Sequence, residues 1–255
     1  MLLEGMADPY LLGAAAGAGL GVTLVIVGAA AGAAVPVTAP VAAFAGSMAA
    51  VAATWLLGAA GGQRGSTAAL ILAGVAVGSF LNAVQTFLLQ RDADTVRTVY
   101  SWILGRLSTS GWREVAVVAP YAVVTWVVLL AHRRVLDVLA VGDEEAGTLG
   151  VAPGRTRIVV LAAASLGTAA AVSVSGLIGF VGIIVPHCVR LLVGTANRVV
   201  LPLSVLAGAA FLSLADLVAR TVLAPAEVPI GVVTAFFGAP FFVLVLRTFG
   251  QRIPR

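Results

Sequence analysis

The chain has 255 residues, of which 60% are hydrophobic and only 10% charged, and its formal net charge is +4. Soluble domains contain about 25% charged residues, so this composition excludes a water-soluble globular fold and predicts an all-α polytopic membrane protein. The sequence contains no lysine, which excludes a phosphate-binding loop of the GxxxxGK(S/T) type. If nucleotide hydrolysis drives this protein, a separate chain must carry it out.

Apolar runs along the chain predict about eight transmembrane helices, because about 20 apolar residues are needed to cross a bilayer. A turn near Ser175 and Gly176 divides the fifth span from the sixth. Glycines spaced four residues apart, such as Gly13, Gly17 and Gly21, predict close contacts between helices. The predicted spans are residues 10–31, 41–61, 68–90, 115–132, 158–175, 177–194, 199–219 and 231–249.

The third span carries a polar stripe, defined by Ser79, Asn82 and Thr86, whose spacings of three and four place them on one helix face. Gln85 lies beside it. A polar face in a span either hydrogen-bonds a neighbouring helix or lines a water-filled path, and the sequence leaves both readings open. Ser66-Thr67, at the entry to this span, either caps the helix or narrows a pathway.

Residues 91–114 form the longest predicted outer segment. Its aromatic residues Tyr100, Trp102 and Trp112 suit the membrane–water interface. The stretch VYSWILGRL, residues 99–107, predicts a short helix lying on the membrane surface.

The stretch VGDEEAGTLGVAPGRTR, residues 141–157, interrupts the apolar pattern with three consecutive acids. Acids favour the first turn of a helix, and the flanking glycines and proline favour its ends. We therefore expect a short acidic helix inside a polar loop covering 134–157. This loop either keeps two spans apart or docks a cytoplasmic partner.

Two residue pairs further along invite a functional interpretation. His187 and Cys188 are adjacent, so their side chains point about 100° apart on a helix and make a poor metal site; no metal or cofactor is predicted. Asp216 and Arg220 are four residues apart and are predicted to pair. Either the pair is purely structural, or Arg220 engages an acidic partner outside the membrane.

The positions of acidic and catalytic residue types weigh against two other classes of protein. No carboxylate lies near the middle of a predicted span, whereas proton-driven carriers usually need one. The predicted spans also bring together no serine–histidine–carboxylate or two-histidine arrangement, so an intramembrane enzyme has little support.

The arginines predict the orientation, because short cytoplasmic loops are enriched in basic residues. One side of the predicted topology holds ten arginines and the other holds five. The ten-arginine side is predicted to be cytoplasmic, which places both termini and the 134–157 loop there. The five on the outer side are Arg91, Arg97, Arg106, Arg113 and Arg220.

Five stretches in order resemble FecCD-type permeases, the membrane subunits of bacterial ABC importers for iron–siderophore complexes, haem and cobalamin. The resemblance covers essentially the whole chain. The stretches are ADPYLLG (7–13), LAGVAVG (72–78), SWILGRLS (101–108), LGV (149–151) after DEEA, and the C-terminal run from GLIGFVGIIVPHCVRLLVG (176–194) to LPLSVLAGAAFLSLADLVARTVLAPAEVPIGVVTAFFGAPFFVLVLR (201–247).

This resemblance implies a single permease domain over residues 1–255, in the bacterial plasma membrane, that is not itself an enzyme. Its implied partners are cytoplasmic ABC ATPase subunits, an extracytoplasmic substrate-binding protein and a second permease copy or homologue, with no nucleic acid. Spans resembling 68–90 and 231–249 line the pathway between the protomers, with Ser66 and Thr67 at the gate and the polar stripe along it. Arg220 matches a residue that docks the binding protein. The implied ATPase-coupling residues are Gly142, Asp143, Glu144, Glu145, Ala146, Leu149 and Gly150.

The chain departs from the family in its N-terminal part. Family members have ten spans, and ADPYLLG usually follows the first two, whereas here it begins at residue 7. The fold is therefore expected to correspond to the last eight helices of a ten-helix permease, through truncation, a wrong start site or a naturally short form. Two alternatives to an importer subunit are a transport-inactive remnant and an ion-coupled secondary carrier.

Overall fold

The computed structural model describes residues 12–32, 38–60, 67–90, 93–107 and 111–250. The regular elements in these ranges are all α-helices, because apolar segments that lack water must satisfy their backbone hydrogen bonds internally. In chain order they are α1 (Ala14–Ala30), α2 (Ala39–Ala60), α3 (Thr67–Leu89), α4 (Ala93–Ile103), α5 (Trp112–Ala131), α6 (Arg133–Leu139), α7 (Asp143–Thr148), α8 (Pro153–Ser175), α9 (Val181–Val193), α10 (Asn197–Thr221) and α11 (Ile230–Gly250).

The predicted spans correspond to α1, α2, α3, α5, α8, α9, α10 and α11. Within the described residues, five of these helices are long and apolar enough to cross a membrane, namely α2, α3, α5, α8 and α10. Helices α1 and α9, and the Ile230–Val245 part of α11, are shorter apolar stretches. The prediction of an all-α polytopic fold is confirmed, and the turn expected near Ser175 lies where α8 ends.

The sixth span is shorter than predicted. Residues 177–180 are not helical, and α9 covers only Val181–Val193, a length of about 20 Å against about 30 Å for a bilayer core. Gly176 ends α8 with a φ of 73°, and the Leu177 N–H donates to the Ile103 carbonyl oxygen at 3.1 Å. The first residues of the predicted span therefore form a linker that is hydrogen-bonded to the end of α4, and they do not start the helix.

The two predicted loops contain helices of their own. The helix expected at 99–107 begins earlier and ends sooner, as α4, because Gly105 takes a φ of 77° that favours glycine and ends regular helix. Val99 of α4 is fully buried, so one side of this amphipathic helix packs on the protein. The loop expected at 134–157 holds α6 and α7, and α8 already begins at Pro153.

Helices α1 and α2 form the tightest packed pair. A Cβ on Gly17 would overlap the Gly46 carbonyl, and one on Gly21 would overlap the Ala42 carbonyl. Two of the glycines predicted to allow close approach thus lie directly at a backbone–backbone contact, as expected where lipid supplies no hydrophobic drive between helices.

Buried side-chain hydroxyls also join neighbouring segments, by donating hydrogen bonds to main-chain carbonyls. Thr54 of α2 donates to the Leu12 carbonyl at 2.9 Å. Thr125 of α5 donates to the Ala163 carbonyl of α8 at 2.9 Å, and the absence of a side chain on Gly167 leaves room for it. These bonds satisfy hydroxyls that would be costly to bury unpaired.

Helices α9, α10 and α11 form a second packed group. Near the start of α10, Val200 is buried against Val185 and Val189 of α9. Near its end, Ala215 and Ala219 pack with residues at the start of α11, Ile230 and Val233. Helix α10 therefore contacts α9 through one half and α11 through the other.

Backbone hydrogen bonds gather three segments at one end of the bundle, here called the α4 end. The Arg106 N–H donates to the Ser175 carbonyl at 3.0 Å, and the Gly231 N–H donates to the Leu104 carbonyl at 3.1 Å. The end of α4, the α8–α9 linker and the start of α11 thus meet there. Helices α6 and α7 lie at the opposite end, the α6–α7 end, beside the first residues of α8 and α10.

Candidate docking surfaces and pathway helices

Helix α7 is a six-residue helix whose sequence is DEEAGT. Gly142 precedes it with a φ of 149°, and a side chain on Gly142 would collide with the Glu145 carboxylate. Ala146 is fully buried, and its carbonyl accepts the Val151 N–H at 3.1 Å. Ala146 therefore faces the protein itself, and its contribution is to hold α7 in place.

The opposite side of this segment is open. Val141 and Leu149 are 72% and 70% exposed, and Glu145 is exposed between them. Exposed aliphatic side chains beside acids, in a segment too polar to lie in lipid, are typical of a protein-interaction surface. The backbone of Asp143 and Glu144 belongs to α7, but their side chains fall outside the described part of the structure.

Asp137 of α6 makes a contact that the sequence did not suggest. Its Oδ1 accepts the backbone N–H of Asn197, the first residue of α10, at 2.8 Å. The two residues are 60 positions apart, and no local pattern links them. Through this bond the α6–α7 segment is attached to α10.

The polar stripe on α3 faces away from the rest of the described chain, since Ser79, Asn82 and Thr86 are all exposed. The Thr86 hydroxyl bonds only within its own helix, to the Asn82 carbonyl at 2.8 Å. Within the described ranges these three side chains make no hydrogen bond to a neighbouring helix, and their place along a pathway stays a prediction. Gln85 points the other way and is 7% exposed.

The two residues expected at the gate are only partly covered by the structure. Ser66 lies outside the described residues. Thr67 is the first residue of α3, and its side chain is not described. Their role stays a prediction.

The second predicted pathway helix, α11, also has an open face. Phe236 and Phe237 are 74% and 53% exposed. Among the described residues, α11 packs on α9 and α10, whereas α3 packs on α1, α2 and α4. The two open faces thus belong to different halves of the bundle.

Arg220 lies in a charged pocket at the α4 end. Its Nη2 is 2.7 Å from the Asp216 Oδ2, which confirms the predicted pair. Arg106 and Glu227 line the same pocket, and Arg106 also donates to the Ser101 hydroxyl at 3.2 Å. The Arg220 side chain is still 44% exposed, so pairing does not remove it from solvent.

Arg106 is a further residue that sequence reasoning missed as a neighbour of Arg220. The two are far apart in the chain, and they meet because the Leu104–Gly231 hydrogen bond holds the end of α4 against the start of α11. In the sequence, the two residues are related only by the prediction that both lie on the outer side of the membrane.

His187 and Cys188 do not gather further metal-ligating residues around them. In the described ranges, no group of three or more His, Cys, Asp or Glu side chains is placed to hold an ion. The His187 ring instead packs edge-on to Phe241, with ring centroids 5.8 Å apart.

Taken together, the apolar helices, the glycine-mediated packing and the polar surfaces at the two ends define a polytopic α-helical membrane protein. The FecCD transport family profile matches residues 4–248. The chain belongs to this family, which confirms the resemblance seen in the sequence; its members are transport permeases rather than enzymes.

Curated relatives carry several import functions in their names. The cobalamin import system permease protein BtuC of Halobacterium salinarum is 45% identical over 242 residues, covering 95% of this chain and 64% of that protein. The hemin transport system permease protein HmuU of Yersinia pestis is 37% identical, covering 97% of this chain and 75% of that protein. This chain thus spans less than two thirds of the length of the first of these relatives and three quarters of the second.

A solved structure shares the fold. It is an inward-facing conformation of a metal-chelate type ABC transporter, with a TM-score of 0.84 and 26% sequence identity, and the match covers 96% of this chain and 80% of the solved chain. The helix arrangement described above is therefore that of this class of transporter.

Proposed function

We propose that this chain is the membrane-spanning permease subunit of an ATP-driven importer for an iron–siderophore complex or a similar metal chelate, such as haem or cobalamin. Membership of the FecCD transport family and relatives named for cobalamin and hemin import support this. The observation that carries the proposal is the acidic helix α7, flanked by the exposed Val141 and Leu149, at the end of the bundle opposite Arg220.

In this proposal the α6–α7 end faces the cytoplasm and binds an ABC ATPase subunit. Gly142 and Gly150 give the segment its bends, Ala146 anchors it, and Asp143, Glu144, Glu145 and Leu149 present the surface to the partner. Both termini lie on the same side of the membrane as α7, as the arginine distribution predicts. The membrane is the bacterial plasma membrane, as the family resemblance implies.

The α4 end faces the substrate-binding protein. Arg220 is exposed there and flanked by Arg106, so an acidic side chain on the partner would meet two guanidinium groups. Charges at the edge of such an interface mainly set the rate and register of docking.

The pathway forms between two permease copies. The polar stripe on α3 and the open face of α11 have no covering helix among the described residues, which suits helices that line a path or meet a second protomer. The stripe offers only hydroxyl and amide groups. Weak contacts of this kind favour passage, because a substrate that is bound too tightly cannot leave.

Transport then follows alternating access. Binding protein docks at the α4 end, ATP closes the two ATPase subunits, and their movement reaches the pathway helices through α7. The permease supplies no catalytic residue; it changes shape in response to its partners.

We predict that changing Asp143, Glu144 and Glu145 together to lysine uncouples ATP hydrolysis from uptake without preventing membrane insertion. Three reversed interface charges are expected to weaken ATPase binding by about tenfold or more, since each exposed pair contributes up to about 1 kcal/mol. The measurement is ATPase co-purification from native membranes, followed by substrate-stimulated hydrolysis after reconstitution.

Asp94→Lys is the control, because it reverses an exposed acid at the opposite end of the bundle. Unchanged co-purification and stimulation in the triple variant would contradict the proposal. So would transport by the purified chain alone, driven by an ion gradient with no ATPase bound.

A further inference from the structure

Helix α10 begins with an unusual cap. The N–H groups of a helix's first turn have no partner within the helix and are normally satisfied by a Ser, Thr, Asp or Asn at the preceding position. That position is Ala196, which has no side-chain acceptor. Asp137 of α6 instead accepts the N–H of Asn197, the first residue of the helix, at 2.8 Å.

A cap supplied by another element has a consequence that a local cap lacks. The carboxylate is favoured beside the positive end of the α10 dipole, so α6 and the start of α10 hold each other in position. Only two residues, Ala140 and Val141, separate the end of α6 from Gly142, the residue that caps α7. Asp137 is therefore close to α7 along the chain and is bonded directly to α10.

Helix α10 continues from this contact to the other end of the bundle. Its 25 residues give a length of about 37 Å. At its far end it carries Arg220, and the Ala219 carbonyl accepts the Val228 N–H at 2.9 Å. Ala215 and Ala219 also pack on Ile230 and Val233 at the start of α11. One helix thus joins the surface beside α7 to the Arg220 pocket and to a candidate pathway helix.

We propose that Asp137 is a positioning residue that links the ATPase-coupling segment to α10, so that movement at α7 reaches the binding-protein surface and α11 through this helix. The inference rests on the proposed importer function. It adds one residue, Asp137, and one helix, α10, that connect the two docking surfaces, and Asp137 does so without contacting either partner.

The test compares three variants in the complex reconstituted with its co-purified ATPase and binding protein. Asp137→Ala removes the acceptor, whereas Asp137→Asn keeps a side-chain oxygen at the same place. Asp137→Ala combined with Ala196→Asp caps α10 locally but leaves α6 unattached. Basal ATP hydrolysis, its stimulation by loaded binding protein, and thermal unfolding of the permease are measured for each, and ATP-dependent uptake is measured for the wild-type complex.

We expect Asp137→Ala to lose binding-protein stimulation by about fivefold or more, the lower range of coupling between distant sites, while basal hydrolysis stays within about twofold. Asp137→Asn should retain most of the stimulation. The double variant should regain thermal stability but not stimulation, because the link between the two helices is still missing.

Three results would overturn the inference. Normal stimulation in Asp137→Ala would show that the link is not used. Recovery of stimulation in the double variant would show that Asp137 is only a helix cap. A wild-type complex without ATP-dependent uptake would remove the proposed function and this inference with it, whereas the first two results leave the importer function standing.

Discussion

Gln85 illustrates how single polar residues organise the interior of this apolar protein. Its Nε2 donates to the Thr23 hydroxyl at 3.0 Å, and that hydroxyl donates to the Gly19 carbonyl at 2.8 Å. Both side chains are buried. A side chain on Gly19 would come within 3.1 Å of the Gln85 Oε1, so the glycine leaves the amide its space. The result is a short hydrogen-bonded chain that joins α1 to α3.

The two partners of this bond should respond differently to substitution. Thr23→Val leaves the buried Gln85 amide without its acceptor and should cost about 1–3 kcal/mol. Gln85→Leu removes the amide but leaves the Thr23–Gly19 bond intact, so it should cost about 0.6 kcal/mol, as is typical of hydrogen bonds between membrane helices.

Unfolding of the permease in mixed detergent micelles measures these free energies. The double variant should cost less than the sum of the two single variants, because the orphaned amide is then absent. Strictly additive losses would show that the bond contributes nothing.

Among the contacts between helices, the close backbone contact of α1 with α2 is the one most sensitive to substitution. Gly46 of α2 faces Gly17 of α1, and a Cβ on either would overlap the carbonyl of the other. Since both obstacles are backbone atoms, no rotamer change can relieve the overlap, and the helices must separate.

Gly46→Ala is therefore expected to destabilise the permease by about 1–3 kcal/mol, the usual range for overpacking. Gly208→Ala is the matched control, because this glycine also lies within a helix and its Cβ would meet only a Val185 methyl at 4.0 Å. We expect the control to unfold at the wild-type temperature or slightly above it, since alanine favours helix. Equal thermal midpoints for the two variants would contradict the close contact.

At the scale of the whole molecule, two polar surfaces lie at opposite ends of α10. One is α7 with the exposed Val141 and Leu149 on either side of it, and the other is the pocket around Arg220. A chain that only anchored itself in the membrane would have no need for both. Their placement fits a subunit that receives one partner on each side.

Arg220→Glu is predicted to weaken docking of the binding protein by about tenfold or more, because an attractive charge becomes repulsive. Arg97→Glu is the control for net charge, since Arg97 is exposed on α4. A variant that exchanges Asp216 and Arg220 keeps the ion pair and separates docking from helix stability. Equal affinity of wild type and Arg220→Glu in a binding titration would count against this role.

Part of the fold and site followed from the sequence. The apolar runs predicted the helices, and the end of α8 was placed at Ser175. The pairing of Asp216 with Arg220 was predicted because both lie on one helix. The shortening of α9 was not predicted, because it depends on the hydrogen bond between the Leu177 N–H and the Ile103 carbonyl at the end of α4. Asp137 and Arg106 were missed for the same reason, since their neighbours lie in distant segments.

The class of protein follows from composition and from the order of the motifs alone. With 60% hydrophobic residues, the chain must satisfy its backbone hydrogen bonds within helices. The motifs, in their order along the chain, define the family. Which way each helix faces depends instead on how the helices pack together in the folded chain. Asn82 and Gln85 lie three residues apart on α3, yet one is exposed and the other is buried against Thr23. That difference depends on where α1 lies, which local sequence does not specify.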